Sequence, residues 1–163
     1  MKLIIKNQFF SFGGGSSVTD EAGNPVYRVN GRWPSPTKKK IICDIKGNKL
    51  FTVRNKYWRW WTYRTFVFDA EGNRVATIKK HKYNLSSNWT IEDSVDSLRI
   101  EGKFFSPRCQ ILRNEQVIGT ITRKFTIVND TYELEGDEKD IPFLLALCVA
   151  FDNITDDRKG QNR

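Results

Sequence analysis

The chain has 163 residues, 39% hydrophobic and 13% aromatic, with 27 Lys and Arg against 19 Asp and Glu for a net charge of +8. That apolar content excludes a disordered chain, and the length predicts one domain that buries roughly two-thirds of its unfolded surface. The charge is uneven: residues 1–82 hold 17 basic and 5 acidic side chains, or +12, and residues 83–163 hold 10 and 14, or −4.

An excess of that kind points to an anionic partner for part of the surface, although a basic protein can also use its charge only to stay in solution. The three cysteines, Cys43, Cys109 and Cys148, are far apart, and His81 is the single histidine. Spacing and number lead us to expect neither a zinc site nor a disulfide framework, which suits a reducing compartment.

In chain order, short strands are predicted near 2–6, 8–12, 16–20, 25–31, 38–44, 49–55, 62–68, 74–80, 88–93, 97–102, 107–113, 117–123 and 130–136. The first carries only Leu3, Ile4 and Ile5 between its lysines, too few apolar residues for a signal-peptide core. Phe12-Gly13-Gly14-Gly15-Ser16-Ser17 lacks the Gly-Lys-Ser/Thr ending of a phosphate loop and reads as a connector. Many short strands with turn residues between them indicate a sandwich or barrel.

One phrase recurs: Asp20-Glu21-Ala22-Gly23-Asn24, Asp44-Ile45-Lys46-Gly47-Asn48 and Asp69-Ala70-Glu71-Gly72-Asn73, with glycines 24 and 25 residues apart. Each copy is followed by an alternating stretch, so the repeated unit is a β-hairpin in which Asp starts the turn and Gly takes a positive φ. The phrase lacks the ligand density of a calcium loop. Hairpins are predicted for 38–44 with 49–55, 62–68 with 74–80 and 107–113 with 117–123, the last around Asn114-Glu115-Gln116 as a worn copy of the same turn. Arg32 to Thr37 carries two prolines and should be a loop.

Residues 140–151 break the β pattern. Asp140 offers an N-cap, Pro142 fits the first turn, and Ile141 to Phe151 contains no charge on any face. A helix apolar all round must be buried on every side. Eleven residues reach only about 16 Å, well short of a bilayer's roughly 30 Å. The expectation is a helix enclosed by the sheet, filling a barrel of about twelve strands that is too wide for its own side chains. Polar residues after Phe151 should return the helix end to water.

Repeated hairpins with these turns, then an apolar C-terminal helix running into Phe151-Asp152-Asn153, resemble the LURP-one-related proteins of the tubby C-terminal-like group. The resemblance covers about residues 2–158. It implies a closed antiparallel β-barrel of about twelve strands around a central hydrophobic helix, as one domain over 1–158 with a polar tail at 159–163. For function it implies binding of phosphoinositide headgroups through basic residues, without assigning any particular lysine.

The residues themselves offer three candidate features. Lys38, Lys39 and Lys40 open a strand after the proline loop, Lys79, Lys80 and Lys82 end another beside His81, and Arg54, Arg59 and Arg64 surround an aromatic run. On one rim they would form a patch holding phosphates as point charges; otherwise such lysines guard strand ends. In Tyr57 to Tyr63, adjacent Trp60 and Trp61 must point opposite ways in a strand, so at least one ring of Trp58, Trp60 and Trp61 should face outward. Such rings suit a membrane interface, a protein contact, stacking on single-stranded nucleic acid, or a plug over the barrel mouth. Catalysis lacks a constellation: His81 sits among lysines with no adjacent carboxylate. The expectation is a cytoplasmic, non-enzymatic binding module without cofactor or metal, peripheral at an anionic phospholipid surface. The alternatives are a protein scaffold or a binder of single-stranded nucleic acid.

Overall fold

The computed structural model describes residues 1–6, 15–31, 35–57, 62–81, 89–93, 96–102, 108–124 and 131–161. Its strands are β1 (Lys2–Lys6), β2 (Gly15–Asp20), β3 (Pro25–Gly31), β4 (Lys40–Asp44), β5 (Lys49–Asn55), β6 (Thr62–Phe68), β7 (Arg74–His81), β8 (Trp89–Asp93), β9 (Leu98–Glu101), β10 (Arg108–Arg113), β11 (Gln116–Lys124) and β12 (Thr131–Gly136). One helix, α1 (Ile141–Gln161), follows. The strand expected at 8–12 falls outside the described residues.

Each copy of the repeated phrase closes a hairpin: β2–β3, β4–β5 and β6–β7. The glycines sit at φ of 87°, 92° and 95°, where a Cβ is disfavoured. The closing Asn has its own role. In the first copy its backbone N–H donates to Asp20 Oδ1 at 2.8 Å and its side-chain amide to Oδ2 at 3.1 Å. Asn48 and Asn73 repeat both bonds on Asp44 and Asp69. These donors hold the three carboxyls below their ordinary value of 3.8. The β10–β11 turn is a different device. Asn114 and Glu115 take φ of 50° and 65°, the two left-handed residues of a type I′ hairpin turn, so it is not a fourth copy.

All twelve strands belong to one antiparallel sheet in the order β8-β7-β6-β5-β4-β3-β2-β1-β12-β11-β10-β9. No ladder joins the two outer strands, β8 and β9, among the described residues, so the barrel is nearly closed. Inward positions follow the period of two: Val53, Val67, Ile78, Ile111 and Leu134 are fully buried.

The helix runs through this interior, against β5, β6, β7, β11 and β12. Leu144 to Phe151 are each 0% exposed. Gly119 and Gly136 face each other across β11 and β12. A Cβ on either would run into Leu144, so the wall is thinned where the helix lies on it. At its start, the Asp140 carboxylate accepts from Arg113 Nη1 at 2.8 Å. At its end the expectation needs correction. Asp152, Asn153 and Ile154 stay buried, and the helix continues to Gln161.

Candidate anion-binding surface

An antiparallel meander sends its connections alternately to the two ends of the barrel. At one end lie residues 21–24, 45–48, 69–73, 96–97, 114–115 and 137–140. By sequence these carry Glu21, Asp69, Glu71, Asp96, Glu115, Asp137, Glu138 and Asp140 against Lys46 and Lys139, a net of −6. At the other end, the described residues of the connections, 35–39, 56–57 and 102, carry Lys38, Lys39 and Lys56 and no acidic residue, a net of +3. The helix enters at the acidic end and leaves at the basic one.

At the basic end, β4 begins, β5 ends, β6 begins and β7 ends, so the described ends of both lysine clusters lie there. Lys38 sits at φ 46°, its N–H donating to the Ser35 carbonyl and its own carbonyl accepting from Asn153 Nδ2 at 3.1 Å. Lys39 is exposed, and its N–H donates to Ser35 Oγ at 3.0 Å. Asn55 N–H donates to the Thr37 carbonyl at 2.7 Å. The loop is thus tied to both β5 and the helix.

Lys40 leaves the predicted set. It is 7% exposed, and its ammonium lies 3.6 Å from Asp152 in the interior. Strand alternation explains this, because Lys40 shares its inward parity with Ile42. Lys80 is placed in β7 opposite Tyr63. Trp58, Arg59, Trp60, Trp61 and Lys82 lie outside the described residues; Tyr57, at the start of the run, is 68% exposed.

On the wall, Arg64 and Lys79 are cross-strand partners on β6 and β7. Lys79 donates to Glu92 at 2.5 Å, which holds the Glu92 carboxyl below its ordinary value. Arg54 lies over the Phe68 ring at 4.7 Å, and Arg74 over Phe66 at 5.6 Å. Arg74, Phe66 and Phe68 were missed from sequence. Their signal was available: Tyr63, Thr65 and Val67 are the buried parity of β6, which leaves Arg64, Phe66 and Phe68 outward.

Beneath the basic loop lies a buried polar cluster that sequence reasoning also missed. Thr65 Oγ1 donates to Asn55 Oδ1 at 2.8 Å, and Asn55 Nδ2 to the Asn153 carbonyl at 3.4 Å. Burial, then the Asp152 charge, pushes the Cys148 thiol well above 9.0, so it stays protonated and inert. Burial likewise raises the Cys109 thiol to about 11. Among the described residues, no three His, Cys, Asp or Glu side chains gather as metal ligands.

The architecture is a nearly closed twelve-stranded barrel around an apolar helix. The family model described as LURP-one-related matches residues 1–152. The chain belongs to the LURP-one-related family. It is similar to the uncharacterised protein YxjI of Bacillus subtilis (strain 168), 22% identical over 162 residues that cover 94% of this chain and 93% of that one. A solved structure of an Arabidopsis thaliana protein shares the fold, with a TM-score of 0.61, 16% identity, and coverage of 94% of this chain and 91% of that one. Among the described residues no helix is long and apolar enough to cross a membrane.

Proposed function

We propose that this family member is a non-enzymatic binding module whose ligand is an anionic phospholipid surface, met peripherally by a basic patch in the first half of the chain. One observation carries the reading. Strands β5, β6 and β7 contain no acidic residue, and the loops beside them present Lys38, Lys39 and Lys56. Lipid phosphates are well served by such point charges, each contributing on the order of 1 kcal/mol near an anionic surface.

Sedimentation with mixed phosphatidylcholine–phosphatidylserine vesicles tests it. The chain should pellet with these vesicles, should ignore pure phosphatidylcholine, and should release as salt shortens the screening length. Absence of binding at low salt removes the reading. Binding to a single-stranded oligonucleotide in preference to vesicles would replace it with nucleic acid recognition.

A further inference from the structure

We infer that the docking surface is the basic end of the barrel rather than its wall, so that the barrel axis stands upright on the anionic bilayer. This rests on the reading above, that such a bilayer is the partner.

Three described features converge on it. The first is the axial separation of charge. The acidic end holds Glu21, Asp69, Glu71, Glu115, Asp137 and Glu138, with Asp20 and Asp44 beside them. A barrel lying on its wall would bring that end into the field of the lipid phosphates. Strands of four to nine residues hold the two ends on the order of 20 Å apart, more than twice the screening length of about 8 Å at physiological salt. Standing upright, the molecule puts its cations inside the surface field and its carboxylates outside it.

The second is the state of the wall cations. Lys79 is already paired with Glu92, and the Arg54 and Arg74 guanidinium groups lie over phenyl rings. The third is the construction of the end itself. Lys39 and Lys56 are exposed, Tyr57 beside them is 68% exposed, and the loop carrying Lys38 and Lys39 is pinned through Thr37, Ser35 and Asn153. Cations fixed in advance lose little entropy when they meet a surface, and a Tyr among them suits the headgroup layer.

Two matched double variants test the orientation, each altering net charge equally. Lys39→Glu with Lys56→Glu acts on the basic end, and Lys49→Glu with Arg74→Glu on the opposite half of the same wall. With phosphatidylcholine–phosphatidylserine vesicles, the first pair should weaken binding at least about tenfold and the second less than threefold. Circular dichroism checks that both variants fold. A fluorophore placed at Tyr57→Cys should be quenched by nitroxide-labelled lipid, while one at Lys46→Cys should not. If the wild-type chain binds and both pairs weaken it alike, or the Lys46 label is quenched, upright docking is overturned and the lipid reading survives. If the wild-type chain ignores the vesicles, the reading itself fails and the orientation falls with it.

Discussion

Asn153, buried in the helix, donates its side-chain amide to the carbonyl of Lys38, 3.1 Å away and 115 residues earlier in the chain. The bond couples the basic loop to the core. Asn153→Ala leaves that carbonyl without its donor and should lower stability by about 1–3 kcal/mol. In urea the midpoint should fall with little change in slope. Trypsin should also cut sooner after Lys38 or Lys39. An unchanged midpoint would show that the loop is held without the helix.

Lys40 and Asp152 form an ion pair whose side chains are 9% and 4% exposed. Removing one partner strands a charge in the interior. Asp152→Leu or Lys40→Met alone should each cost about 3–5 kcal/mol, while the double replacement should recover most of that loss. A double-mutant cycle reads the coupling directly. Additive single effects would mean that the two charges do not depend on each other.

The three hairpins and the buried helix were legible because their signals are local. A Gly after Asp-x-x marks a positive φ, and eleven residues without charge mark complete burial. What escaped is long-range pairing. Asp152 and Asn153 read as exposed because they are polar, yet their partners lie on the β3–β4 loop and β4. Lys40 was grouped with Lys38 and Lys39 as one run, although its parity with Ile42 turns it inward. The outward row of Arg64, Phe66 and Phe68 follows from the period of two alone. The opposite charges of the two ends follow from chain order once the meander is recognised. Which loops share an end, however, is a property of topology and not of any single segment.

Gly119 and Gly136 let the wall approach the helix. A Cβ on Gly119 would meet the Glu135 carbonyl at 2.9 Å and overlap Leu144, and one on Gly136 would meet the Ile118 carbonyl at 2.7 Å. Gly119→Val should therefore destabilise by about 1–3 kcal/mol or more through overpacking. Adding Leu144→Ala should not rescue it, since the backbone contact persists and a cavity is added. Thermal melts of the single and double variants check this; full rescue would place the conflict in the Leu144 side chain alone.

The turn aspartates make stability depend on acid. Asn24, Asn48 and Asn73 donate to them, so their folded pKa values lie below the ordinary 3.8. A depressed carboxyl contributes stability that is complete above its unfolded value. The contribution is lost as pH falls from there through the folded value. The triple variant Asp20→Asn, Asp44→Asn, Asp69→Asn keeps an acceptor oxygen at each turn but no titrating group. Its urea midpoint should vary less between pH 5 and pH 3 than that of the parent, on the expected carboxylate range. Equal pH dependence would assign acid sensitivity to other pairs, such as Glu133 with Lys124.

The β10–β11 turn offers the opposite kind of change, a gain. Asn114 and Glu115 hold φ of 50° and 65°, and left-handed backbone costs a residue with a Cβ about 1–2 kcal/mol. Asn tolerates that region, and its side chain is also used here, accepting from Ser97 N–H and donating to Asp96. Glu115 has less to lose. Its carboxylate pairs with Arg99 at 2.8 Å, where the side chains are 52% and 70% exposed, and such surface pairs are worth little. Glu115→Gly creates the Asn-Gly pair that type I′ turns favour and should stabilise by up to about 1 kcal/mol, partly offset by the freer unfolded chain. For a chain of this size that is a rise of roughly 2–4 °C in Tm. A fall in Tm would mean that the Arg99 pair outweighs the backbone strain.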